Sequence, residues 1–263
     1  MNKVIRAEFG RTINAGLIIA IAGIIFSICF DSFNDLIAGL RNGQGYVGYF
    51  FSNAAFGGMC THYMLPVFTA LPFSVSLCQE RNNKAVSYIV SREGKNRYIF
   101  AKFIVSAISG GFVAACGTVL LFLMLAMRFP IAGDEFEGAV VSDYFHEWSA
   151  VYYPQLYILT LSILAFCRGV IWSSLALCVS LYTSDFMVVL LSPFLGSYVL
   201  VRIFQIIRVP DMVRPDMILI GQVVIKSSGL TLLIAIAISL TIVTLIGAFF
   251  VGKMKEGLKS GTI

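Results

Sequence analysis

Charge is scarce in this chain. Asp, Glu, Lys and Arg make up 13% of its 263 residues, against about 25% in an average soluble domain. Hydrophobic residues reach 58%, more than a water-soluble domain could hide inside one core. Histidine is scarcer still, with only His62 and His146, and no His-Glu-x-x-His pair exists to hold a catalytic zinc. There is no Gly-x-Ser-x-Gly elbow to expose a nucleophilic serine, and no CxxC. The phosphate-cradling loop Gly-x-x-x-x-Gly-Lys-Ser/Thr is also missing, so any ATP that drives this protein must be bound by another polypeptide. Together these absences argue against an enzyme and against a cofactor or metal held by this chain. The six cysteines have no paired spacing and sit in or beside apolar runs, where a free thiol acts as a small apolar packing group.

Long uncharged runs are abundant, and mean hydropathy is +0.87. Thr12 to Phe30 gives 19 uncharged residues, Phe103 to Met127 gives 25 and Ser227 to Gly252 gives 26. At about 1.5 Å per helical residue, such runs match a hydrocarbon layer roughly 30 Å thick. The reading is an all-α integral membrane protein, one transmembrane domain over 1–263 with six spans near 12–30, 59–78, 103–127, 153–182, 186–205 and 227–252. Pro66 and Pro72 are expected to kink the second span. No small-residue cleavage site follows the first run, so no cleaved signal is expected. Ahead of it, Ile5 and Phe9 lie four apart among Lys3, Arg6 and Arg11, the pattern of an N-terminal interfacial helix.

The formal net charge of +5 would point to nucleic acid in a soluble protein. Here it reports topology, and no nucleic-acid partner is expected. Six spans place both termini on one side with the 79–102 segment, and twelve of the 19 Lys and Arg then fall on that side. The positive-inside rule makes that side cytoplasmic. The stretch 129–148, with five carboxylates and no Lys or Arg, is expected to face outward. Six glycines in 31–58 disfavour a full helix there, and this stretch is placed outside and at the interface. Pro210 and Pro215 before the short run Met217 to Ile225 predict a broken or re-entrant helical element ahead of the sixth span.

Three features stand out as candidates for function. Gln79 to Lys102 holds six of the 19 Lys and Arg and reads as a short amphipathic helix at the membrane surface. Glu80, Lys84, Ser87 and Ser91 fall on one face, and Ala85, Val86, Ile89 and Val90 on the other. Such a helix can press its polar face into a soluble partner. Second, Ser106, Gly110, Ala114 and Ala107, Gly111, Ala115 form small-residue stripes that let another helix approach closely. Third, Arg168 lies near the middle of span four, where an unpaired charge costs at least about 2.5 kcal/mol. Either it faces a cavity as part of a translocation path or intramembrane network, to which Arg202 at the outer end of span five is also assigned, or span four shifts or breaks at Arg168-Gly169 so that the guanidinium reaches an interface.

The whole layout of interfacial helix, six spans, cytoplasmic helix between spans two and three and broken element before span six resembles the permease subunits of type 2 ABC transporters. The resemblance covers nearly all of the chain. Its most specific part is Glu80 to Lys102, with the Ser91-Arg92 pair closing the helix and Arg97-Tyr98 leading into span three; Ser180 to Thr183 and Pro193 add shorter matches. It implies that Glu80 through Ser91 is the coupling helix docking on an ATP-binding cassette ATPase subunit, with Glu80, Arg81, Lys84, Ser87, Ser91 and Arg97 as contacts. The family often has a glycine a few residues after the glutamate, where this chain has Asn82-Asn83-Lys84. It further implies a second permease copy or related permease, with ATP and Mg bound by the ATPase partner. Membrane lipids surround the pair, and an amphiphilic peptide, antibiotic or lipid is exported across a cell membrane, expected to be bacterial. The competing classes are a secondary transporter or channel component and a non-transporting scaffold or sensor. A secondary transporter would carry paired intramembrane carboxylates or an internal repeat, and neither is visible.

Overall fold

The computed structural model describes residues 2–42, 47, 50, 58–131 and 153–260. The acidic stretch expected to face outward falls almost wholly outside these residues, as does most of the glycine-rich stretch 43–57. The described residues are helical apart from turns and connecting segments and contain no strand. Among the described residues, four helices are long and apolar enough to cross a membrane: α7 (Lys95–Ala126), α8 (Pro154–Val179), α9 (Phe186–Ile207) and α11 (Ser228–Ser260). The protein is thus an all-α multi-pass membrane protein.

The first expected span is a single helix, α2 (Ala15–Asp31), with the expected N-terminal helix, α1 (Asn2–Thr12), ahead of it. The two form a pair bent by 57°. Asn14 makes the corner, its side-chain oxygen accepting from the Leu17 amide at 3.1 Å as the N-cap of α2. α3 (Phe33–Asn42) follows directly. At its C-terminal end α2 caps a later helix across the intervening chain. The Asp31 carboxylate accepts from the amides of Cys60 at 2.9 Å and Thr61 at 2.6 Å, the first turn of α4 (Met59–Ala70). These amides have no partner within their own helix, and a carboxylate suits the positive end of its dipole.

The second expected span is not continuous. α4 ends after 12 residues, about 18 Å of helix and too short for a hydrocarbon layer of roughly 30 Å. Turns at 71–75 separate it from α5 (Ser76–Asn82). Pro72 explains the break, since it has no N–H and its ring crowds the carbonyl four residues back. The interrupted backbone is sheltered by protein: Phe73, Ser74 and Val75 are buried, and the Ser74 hydroxyl donates to the Ser173 carbonyl at 2.9 Å. Irregular backbone at membrane depth is tolerated under such cover.

α7 and α8 are the central pair. Gly110 and Gly169 face each other so closely that a Cβ on Gly110 would collide with the Ser173 side chain, and one on Gly169 with the Gly110 carbonyl. The small-residue stripe on α7 therefore serves close approach to α8. Ser106 joins the contact through its hydroxyl, 3.1 Å from that of Ser74 and 3.3 Å from the Ser173 carbonyl.

After α9, begun by its N-cap Asp185, the chain turns through Arg208 and a 3-10 turn at Asp211–Val213. It then folds inward as α10 (Pro215–Ile220). Ile218, Leu219 and Ile220 of this six-residue helix are buried, and Gly221 ends it at φ +88°. Arg214 anchors it, paired with Asp216 at 2.7 Å and Asp211 at 3.2 Å. The Asp216 hydrogen bond, partly opposed by burial, raises the guanidinium above its ordinary pKa, so the group stays charged.

One end of the bundle gathers the short helices. α6 (Val86–Glu93) lies between α5 and α7, joined to α7 through Gly94 at φ +86°. Its Val86, Ile89 and Val90 pack with Leu77, Tyr98, Leu177, Phe250 and Met254, so this apolar face rests on the ends of α7, α8 and α11. α1 reaches the same end through Glu8, and α11 through Lys255, whose carbonyl accepts from Lys95 at 2.9 Å.

Candidate functional site

Two regions concentrate polar chemistry, one at the α6 end and one in the middle of the bundle. At the α6 end, Lys102 is fully enclosed on α7, its amine 2.6 Å from Glu80 and 3.3 Å from Glu8. Arg11 reaches the same two carboxylates at 2.6 Å and 3.3 Å, and the Tyr98 hydroxyl donates to Glu80 at 2.5 Å. Two cations and two carboxylates therefore balance, with the Phe73 ring closing over the Lys102 amine at 4.9 Å. The cluster ties α1, α5 and α7 together.

This geometry corrects the single-face reading of the charged segment. α5 ends at Asn82, and Lys84 takes the left-handed conformation at φ +53°. The Lys84 amide bonds the Arg81 carbonyl at 3.0 Å and the Ala85 amide the Glu80 carbonyl at 2.8 Å, the pattern of a Schellman cap. Glycine is the usual residue at such a position. With this turn between them, Glu80 belongs to α5 and Ser87 and Ser91 to α6. Glu80 points inward, its side chain only 10% exposed, so it is an internal ion-pair partner.

The remaining expected contacts are distributed differently. Arg81 is half-buried and donates to the Ser180 and Leu181 carbonyls at 2.9 and 3.1 Å, holding the C-terminal end of α8. Lys84, Ser87, Ser91 and Arg97 are exposed, and Arg97 makes no ion pair among the described residues. Ser91 turns its hydroxyl back to the Tyr88 carbonyl at 2.8 Å. Beside this ridge lies an open concavity of about 670 Å³, lined by Lys84, Ser87, Ser91 and Lys95, with Ser184 and Leu258 on its far wall.

In the middle of the bundle, Arg168 is buried on α8, which runs through it as unbroken helix. Its guanidinium has no hydrogen-bond or ion-pair partner among the described residues. One side meets a void of about 20 Å³, which Thr61 also lines with a hydroxyl that has no partner either. The other side meets a cavity of about 430 Å³ between α8, α9, α10 and α11, shared with His62, Trp172, Asp216 and Leu245. Arg202 takes no part. It lies on the exposed face of α9 and donates to Tyr198 at 3.3 Å and Gln205 at 3.2 Å, with no hydrogen bond or ion pair to Arg168 among the described residues.

Sequence reading missed the internal partners. Glu8 and Arg11, three apart on α1, hinted at a local pair, but nothing in sequence joins them to Lys102 across more than 90 residues. Lys102 had marked only the edge of a span. No three-residue group of His, Cys, Asp and Glu able to hold a metal occurs among the described residues. No family model, curated protein or solved structure matches this chain.

Proposed function

We propose that this chain is the membrane-spanning permease subunit of an ATP-driven ABC exporter for an amphiphilic substrate. In this reading ATP and Mg are bound by a separate cassette ATPase subunit, and a second permease copy or a related permease completes the path. The α6 end is cytoplasmic, as the positive-inside rule favours.

The observation that supports this reading most is α6 itself. A helix of eight residues, too short to be stable alone, is held by its apolar face on three longer helices while its polar face stays exposed. A lever needs that combination, a rigid seat below and free polar groups above. Displacing α6 would press on the ends of α7, α8 and α11 together, so ATPase closure could reach the spans without a flexible linker. Contact with the ATPase falls to Lys84, Ser87, Ser91 and Arg97. Glu80 acts from inside, fixing α5 relative to α7.

The test is charge reversal on the ridge. Lys84→Glu with Arg97→Glu is expected to cut co-isolation of the ATPase subunit at least tenfold while leaving the thermal unfolding temperature of the purified chain unchanged. Retained association in a normally folded variant would refute the assignment.

A further inference from the structure

We infer that the 430 Å³ cavity between α8, α9, α10 and α11 is a binding site for an amphiphile with an anionic head, seated on Arg168. Its polar anchor is the Arg168 guanidinium. It carries five N–H donors and always bears its charge, yet it is 7% exposed and unpartnered among the described residues. The void on one side has room for about one water. A single water cannot serve five donors, and the other face of Arg168 borders the larger cavity.

The nearby charges leave Arg168 as the uncompensated one. Asp216 lines the cavity, but its carboxylate is held by Arg214 at 2.7 Å, and Arg214 takes Asp211 as well. His62 adds a half-buried imidazole and no negative charge at neutral pH. An incoming carboxylate or phosphate would therefore meet one free fork-shaped cation, the geometry that suits such oxyanions. Apart from Ser197, whose hydroxyl donates to the Phe194 carbonyl, the other walls are apolar, including Ile171, Trp172, Leu175, Leu219 and Leu245. A fully polar anion would gain nothing from them, whereas a hydrocarbon chain would. The volume lies within the usual range of about 300–1,000 Å³ for small-molecule sites. The cavity is built within one copy of the chain, roofed by the short buried helix α10. The inference rests on this cavity and not on the transporter reading, so ligand binding and ATPase association can fail independently.

The experiment uses the full chain in phosphatidylcholine nanodiscs with three diazirine-bearing probes: palmitate, palmityl phosphate and palmityl alcohol. One or both anionic probes are expected to label peptides containing Trp172 or Leu245 at least tenfold more than the alcohol does. The better of the two identifies the head as a carboxylate or a phosphate. Arg168→Gln is expected to remove that preference, and Arg168→Lys to keep part of it. Leu245→Trp, which leaves Arg168 in place and narrows the cavity, is expected to block labelling in a chain that still elutes as a single species. It decides the matter if the arginine variants do not fold. Equal labelling by the alcohol, labelling confined to other helices, labelling unchanged by Leu245→Trp, or full competition by inorganic phosphate alone would overturn the inference.

Discussion

The Lys102 amine, fully enclosed and facing two carboxylates, carries the clearest energetic consequence at the scale of single residues. Removing one member of a buried ion cluster strands its partners, at a cost of about 3–5 kcal/mol. Lys102→Met leaves Glu80 and Glu8 with only the half-exposed Arg11 as counter-charge. It is expected to destabilise the chain by about that amount, read as the shift in detergent unfolding of the purified protein. Adding Glu80→Gln removes the opposite charge and keeps an acceptor for Tyr98, so the double variant should lose clearly less than the sum of the singles. Strict additivity would contradict the cluster. The importance of these residues could not be read from sequence, because ion pairing across 22 or 94 residues leaves no local pattern. What was legible was the anomaly, a carboxylate placed just after an apolar run. Its meaning was inverted in the reading, since a charged residue on a helix near a membrane surface looks solvent-facing until its partners are seen. Arg168 was a different case. Its apolar neighbours on either side left open whether it faced a cavity or sat at a break that let it reach an interface, and the structure buries it on unbroken helix.

At the scale of elements, the contact between α7 and α8 depends on the absence of side chains at Gly110 and Gly169. Gly110→Leu forces the helices apart and is expected to cost about 2–3 kcal/mol, as overpacking does. Gly252→Leu, where an added Cβ meets nothing within 4 Å, should be neutral within about 0.5 kcal/mol. Parallel melting curves of the two variants check the pair, and similar losses would mean that the close approach is not what Gly110 provides. The stripe was visible from sequence because its residues recur at helical spacing. The identity of the partner helix was not, since small residues reveal closeness and not what comes close. Element boundaries followed the same logic. The apolar runs read directly as α7, α8, α9 and α11, since nothing within them ends the helix; Arg168 stays inside α8 and Pro193 inside α9. The second run contains Pro66 and Pro72, both expected only to kink it; Pro66 stays inside α4, whereas the helix breaks at Pro72. The outcome turned on tertiary packing, which buries Phe73, Ser74 and Val75 and binds Ser74 to α8. Likewise the division of 79–102 into α5, α6 and the start of α7 hinges on Lys84 in a left-handed turn, a conformation that lysine does not advertise.

Across the whole molecule, the two ends of the bundle differ in kind. One end collects α1, α5, α6 and the last turns of α11, knitted by ion pairs and backbone-directed Lys and Arg bonds, with a polar ridge left exposed. The other end folds α10 inward over a cavity that an unpaired arginine shares. In the proposed permease, attachment to the ATPase subunit would fall at the first end and ligand binding nearer the other. The test that bears most directly on this account is to isolate the full chain gently from its native membrane and identify what accompanies it in stoichiometric amount. The account predicts a soluble subunit carrying a phosphate-binding loop. A chain that arrives alone, or only with other membrane proteins, would contradict it.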